Sequence, residues 1–201
     1  MELLPLVTVI AVIVFLLRKR DQRKRITLLG QHLGHYQIEK LMETVTEGYL
    51  RALGEADPER REQIWHHLGP AELRLSEQFS QFSAEFARLD AADTRVSKLE
   101  LPIPFATQLF PHATFDLRKA LVIHADGLAR AASNALQSTP KNKAFMLSAE
   151  LFLMQHTCHW FCNSRSIASA RLMVRHQTTH DKVLASVAPQ TRAAYRALTG
   201  I

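Results

Sequence analysis

The sequence predicts an all-α protein, an N-terminal transmembrane helix followed by a helical bundle built around a long antiparallel hairpin. Three observations lead there. Apolar side chains recur at spacings of three and four through most of the chain. Pro, Gly, Asp and Thr stand where helices start and stop. An uncharged run, residues 3–17, is followed at once by Arg-Lys-Arg-Asp-Gln-Arg-Lys-Arg at 18–25.

That first run reads as a membrane anchor with a stop-transfer flank. Fifteen residues rise only about 22 Å against a hydrocarbon layer of about 30 Å, so length alone is marginal. Apolar residues on every side of the helix, the reach of Met1, and the long stems of Arg18, Lys19 and Arg20 extend it. Pro5 sits in the first turn, where a missing N–H costs nothing. A cleavable signal would carry its positive charge before the run; here Glu2 precedes it, and Arg18, Lys19, Arg20, Arg23, Lys24 and Arg25 follow. Positive residues stay on the cytoplasmic side. The expected topology is therefore single-pass, N-terminus outside, with the C-terminal domain in the cytoplasm (at the inner membrane in a bacterium). Residues 1–25 form the anchor and 26–201 the domain.

Charge divides unevenly along the domain. Residues 26–100 hold eight basic and 13 acidic side chains, residues 101–201 hold 11 basic and four acidic. Such asymmetry suits internal docking or a basic partner surface. The basic residues are spread over several helices rather than gathered on one face, which argues against nucleic acid.

The helical segments follow in order. Ile38, Leu41, Val45, Tyr49 and Leu53 continue a helix over about 26–53, which Gly54 stops, with Glu39, Glu43 and Glu47 on its solvated face. Asp57-Pro58-Glu59 opens a short helix over 58–68, and Gly69-Pro70 ends it and starts another over 70–97. That helix carries Leu75, Phe79, Phe82, Phe86 and Leu89 on one stripe, expected in the core. Leu99, Leu101, Ile103 and Phe105 alternate with Glu100, Pro102 and Pro104 as an extended strap, expected to lie on the core. Thr114 caps a helix over 114–137 with Leu117, Leu121, His124, Leu128, Ala131 and Ala135 on one face. A turn at Ser138-Thr139-Pro140 leads to one long helix over 141–177, and Pro189 opens a last one over 189–199, closed by Gly200.

Side chains able to carry chemistry concentrate in Gln155-His156-Thr157-Cys158-His159-Trp160-Phe161-Cys162. Helical phasing sets Lys143, Glu150, Thr157 and Ser164 on a polar edge and turns His156, His159 and Cys162 away from it. A hairpin turning near Thr139 and Pro140 places His124 beside Gln155 and His156. His124, His156, His159 and Cys162 are thus candidate ligands for zinc, copper or iron, or for a haem between helices. The competing expectation is that these groups find partners inside the core and hold no cofactor, since adjacent helical positions point in different directions. The thiols Cys158 and Cys162 are expected reduced. His176 and His180 repeat the spacing of zinc-peptidase helices, but Gln177 occupies the place of the water-activating glutamate. The sequence holds no Gly-x-Ser-x-Gly elbow and no Gly-rich phosphate loop. The leading expectation is a non-enzymatic, membrane-anchored helical protein that binds other proteins or helps assemble a membrane complex. Zinc or haem binding through the inward histidines is the alternative.

Overall fold

A computed structural model describes residues 3–201; Met1 and Glu2, used above to judge the anchor, lie outside them. Among the described residues the chain is a helical bundle with one two-stranded ribbon. Its elements are α1 (Leu3–Leu33), α2 (Ile38–Gly54), α3 (Pro58–Phe86), β1 (Arg95–Ser97), α4 (Ala106–Leu109), a 3₁₀ turn (Pro111–Ala113), β2 (Thr114–Asp116), α5 (Leu117–Ala132), α6 (Pro140–Cys162), α7 (Arg165–His176), α8 (His180–Ser186) and α9 (Pro189–Thr199). β1 and β2 pair antiparallel, with Val96 opposite Phe115.

The apolar run does form a helix, but it is the first half of a continuous α1 that carries on through the basic flank. No helix among the described residues is long and apolar enough to cross a membrane. The reason is compositional, because lengthening the run past Leu17 brings in Arg18, Lys19 and Arg20. α1 runs without interruption through residue 25, where the sequence reading places the end of the anchor. α1 ends instead at Leu33, and Gly34 to Gln37 turn the chain into α2. A Cβ on Gly34 would lie 3.0 Å from the Gly30 carbonyl oxygen and would press on it.

α2 packs on α3 through Ile38, Met42, Val45, Tyr49 and Ala52. Leu53, placed on the inner stripe by sequence, is exposed. The two helices expected at 58–68 and 70–97 are one, since α3 runs through Pro70. Proline there forfeits one backbone bond, and the continuous burial of Leu68, Glu72, Leu75, Phe79, Phe82 and Phe86 on one side outweighs it. Asp57 caps α3 by accepting from the Glu59 amide. The aromatic stripe is core as expected: Phe79, Phe82 and Phe86 are fully buried, with successive ring centroids 5.6 Å apart.

α3 ends eleven residues before the expected position, at Phe86, and the chain enters the β ribbon at Arg95. Thr114, expected to cap a helix, starts β2; Asp116 caps α5 by accepting from the Arg118 amide. The strap also departs from expectation, with Leu101, Ile103 and Phe105 exposed rather than laid on the core.

The long helix expected over 141–177 breaks into α6 and α7. Asn163 leaves helical geometry (φ −138°, ψ −96°), and Ser164 caps α7 by accepting from the Ile167 amide. After α7, Gln177 turns left-handed (φ 51°) and Thr179 caps the short α8, an element with no place in the sequence reading. α9 and its Gly200 stop, in the left-handed region at φ 77°, fall where expected.

Candidate functional site

α6 lies between α5 on one side and α7, α8 and α9 on the others, and its polar residues point inward. Glu150 and Thr157 are fully buried and Ser164 nearly so, so the edge that phasing made polar belongs to the interior. The hairpin register comes out within two residues of expectation: His124 meets Thr157, 2.9 Å from Nε2 to Oγ1.

Thr157 is the hub of this buried network. Its hydroxyl donates to the Leu153 carbonyl at 2.9 Å. One hydroxyl has one proton and two lone pairs, so it accepts from His124 Nε2–H and from the Tyr195 hydroxyl at 3.0 Å. This assigns the proton of His124 to Nε2 and leaves Nδ1 as a bare lone pair, consistent with its having no partner among the described residues. An unpaired acceptor without a proton is the less costly orphan.

His156 continues the cluster, with Nε2 3.1 Å from Ser169 Oγ and its ring 4.4 Å from that of His180. His180, at the start of α8, is buried and has no hydrogen-bond partner on either ring nitrogen among the described residues. Burial depresses all three imidazoles, His124 and His156 to about 3, and the neighbouring His180 adds to the effect at His156. The cluster is therefore neutral at physiological pH.

Glu150, about two turns before Thr157 on α6, is the buried acid. Its Oε1 accepts from the Ala188 amide at 3.1 Å, which ties α6 to the α8–α9 junction. Burial raises its pKa to about 7 against the pull of the Thr191 hydroxyl, the Ala188 amide and Arg130. Gly127 makes room for it, since a Cβ there would collide with Glu150 Oε2 and lie 2.7 Å from Thr191 Oγ1. A second buried charge is satisfied directly, Glu72 accepting from the Tyr49 hydroxyl at 2.6 Å and pairing with Lys143.

The four candidate ligands do not converge. His124 and His156 belong to the core network, whereas His159 and Cys162 line a cleft of about 330 Å³ between α6, α7 and α1, together with Leu29, Cys158, Arg171 and Arg175. His159 Nδ1 accepts from Arg171 at 3.1 Å. Among the described residues no three His, Cys, Asp or Glu side chains are placed to hold a metal ion. Helical geometry explains the separation: residues 156, 159 and 162 fan out by about 120° around α6 and rise about 9 Å along it, so one centre cannot collect them. His180, which packs on His156 and Tyr195, does not form with His176 the helical pair that their spacing suggests. The left-handed turn at Gln177 separates the two, and His176 instead stacks on Phe152 at 3.9 Å and bonds Gln155. Both thiols are free, and burial lifts Cys158 to about 12 and Cys162 to about 11, so neither is an activated nucleophile.

The other notable surface is the N-terminal end of α1. Large apolar residues from Leu4 to Leu16 are 44–79% exposed and project beyond the bundle. Below them Lys19, Arg20, Arg23 and Lys24 are exposed and Arg18 is half-buried. Arg25 departs from the lipid-flank role given to it by sequence. Its guanidinium donates to the Arg95 carbonyl at 2.8 Å, pairs with Asp21 and lies 5.2 Å from the Phe161 ring centroid, locking α1 to β1 and α6. Gln22 adds a bond to Asn163 at 2.6 Å.

No family model matches this chain, nor does any curated protein or solved structure. The fold and its surfaces therefore carry the functional argument alone.

Proposed function

We propose that the chain is a membrane-anchored helical module whose bundle binds other proteins or helps assemble a membrane complex. One observation carries this reading: an apolar, uncharged helix end leaves the bundle with its side chains uncovered, and a basic collar begins where it ends. A run of apolar side chains exposed all around a helix is costly in water and favourable in lipid. Single-pass crossing with so short a run is met by local thinning of the bilayer and by snorkelling of Arg18, Lys19 and Arg20. The collar sets the bundle on the cytoplasmic side.

The interior supports a binding rather than a catalytic role. His124 and His156 are buried and bonded to Thr157 and Ser169, Glu150 is buried against the Ala188 amide, and burial raises the thiols, an arrangement that suits structure. Two measurements test the proposal. A reporter active only outside the cytoplasm, fused after Ile201, stays silent. Affinity purification of the full chain from detergent-solubilised membranes recovers stoichiometric partner chains, and metal and haem analysis of the same sample finds neither. A Soret band or bound metal lost on His156→Ala would replace this reading with the cofactor one.

A further inference from the structure

The segment 101–111 contains no Asp, Glu, Lys or Arg, yet it lies on the surface. Leu101, Ile103, Phe105, Leu109 and Phe110 are 38–69% exposed within ten residues of chain. Scattered single apolar residues need no explanation, but five together form a patch that marks a contact surface. Phe105 is held in the left-handed region (φ 55°), a conformation unfavourable to a bulky side chain and kept only where the surroundings impose it. Pro102 and Pro104 stiffen the approach.

The position of this strap decides what it faces. Phe105, Thr107 and Gln108 share a concavity with Arg20, Asp21 and Lys24 of α1, and Leu101 and Ile103 share another with Asp21 and Arg25. Arg25 Nη2 donates to Thr107 Oγ1 at 3.4 Å. Leu17, the last of the apolar run, and Asp21 are four positions apart on α1, a rise of about 6 Å. The strap is therefore at the level of the basic collar, at the end of the bundle from which the apolar helix emerges. Any bilayer that takes up residues 4–16 meets that end of the domain, and side chains at this level reach the boundary between headgroups and acyl chains.

We infer that residues 101–110 form a second membrane contact, resting on the surface of an anionic bilayer beside α1. This rests on the anchor reading above and extends it from one helix to a face. Charge complementarity selects the occupant: Arg20 and Lys24 are exposed beside the strap, while of the acids there Asp21 pairs with Arg25 and Glu100 with Arg165, so that even with the exposed Asp93 the concavity keeps a net positive charge. Such a pairing of apolar side chains with neighbouring Lys and Arg is the recognition pattern of acidic lipid surfaces. Two contacts would also fix the tilt of the bundle, which a single helix leaves free.

The test uses the full chain reconstituted in vesicles of phosphatidylcholine and phosphatidylglycerol with brominated acyl chains, which quench tryptophan on contact. Phe15→Trp reports the anchor, Leu109→Trp the strap, and Val174→Trp, on the exposed side of α7, a position away from lipid. Emission is read above the background of Trp65 and Trp160. Leu109→Trp is expected to lose its added emission as Phe15→Trp does, while Val174→Trp keeps it. Replacing phosphatidylglycerol by phosphatidylcholine should reduce the loss at Leu109→Trp and leave that at Phe15→Trp unchanged. Full emission from Leu109→Trp with Phe15→Trp quenched would overturn the second contact and leave the anchor standing. Full emission from Phe15→Trp would remove the anchor reading, and the strap with it. Equal quenching of Leu109→Trp in both lipids would refute the charge-selected contact.

Discussion

Lowering the pH from 7 to 5 exposes the consequence of burying neutral imidazoles. Folding holds His124 and His156 near a pKa of 3, whereas an unfolded histidine titrates at about 6.5. Between these values the unfolded chain binds protons that the folded chain refuses. The contribution is complete above about pH 6.5 and lost progressively as the pH falls. At pH 5 each of the two histidines costs about 2 kcal/mol relative to pH 7, about 4 kcal/mol together, and His180 acts in the same direction. Glu150 opposes them. Its carboxyl, raised from 4.5 to about 7, takes up a proton in the folded state before the unfolded chain does, and acidification to pH 5 returns about 2 kcal/mol. The wild-type chain is expected to lose about 2 kcal/mol, the Glu150→Gln variant about 4, and the His156→Gln variant close to none. Denaturant unfolding of the full chain in detergent, followed by circular dichroism at the two pH values, reads these differences. A His156→Gln variant with the wild-type pH dependence, or an imidazole resonance of His124 or His156 titrating near 6.5, would refute the reasoning.

Other perturbations have equally definite outcomes. Phe79→Ala, Phe82→Ala and Phe86→Ala each remove a fully buried ring, and each should cost about 3–5 kcal/mol in thermal or chemical unfolding; an unchanged melting temperature would show that the stripe faces a partner instead. Lys143→Met leaves the buried Glu72 carboxylate without its cation and should destabilise by about 3 kcal/mol, most of it recovered in a Glu72→Gln, Lys143→Met double variant. Gly127→Ala forces a methyl group against Glu150 and Thr191 and should cost about 1–3 kcal/mol by overpacking, which paired unfolding curves measure. Ellman's reagent should leave Cys162 unreacted in the native chain and titrate both thiols after denaturation, because burial withholds the thiolate.

The parts of this fold that could be read from sequence are those set by local chemistry. The α3 stripe, the α5 face through Ala131, the Asp57 cap and the Gly200 stop each depend on residues within a few turns of one another. What escaped depends on distant partners. Pro70 looked like a boundary, but packing on one continuous face carried α3 through it. Cys162 to Ser164 looked helical until Asn163 found Gln22 of α1. Thr114 looked like a cap until it found Ser97 across a ribbon.

The site was legible in the same uneven way. His124 and His156 were placed inward correctly, because hairpin register follows from the position of one turn. Thr157, the actual hub, was assigned to the polar edge, since a sequence does not show that α9 covers that edge with Tyr195. His180 was lost to a chance spacing with His176, and only the left-handed turn at Gln177 separates the two. That reversal has a signal in Gln-Thr-Thr followed by His-Asp, where Thr179 is a helix cap.

Membrane attachment through the uncovered end of α1 is the claim on which the rest of the functional account depends. Alkaline carbonate extraction of membranes from cells expressing the full chain measures it most directly, because high pH strips proteins held by charge or by partner chains and leaves those held by apolar burial in lipid. The chain is expected to stay in the membrane pellet, and Ile10→Lys with Ile13→Lys to move a folded chain to the supernatant. Release of the wild-type chain into the supernatant would contradict that attachment.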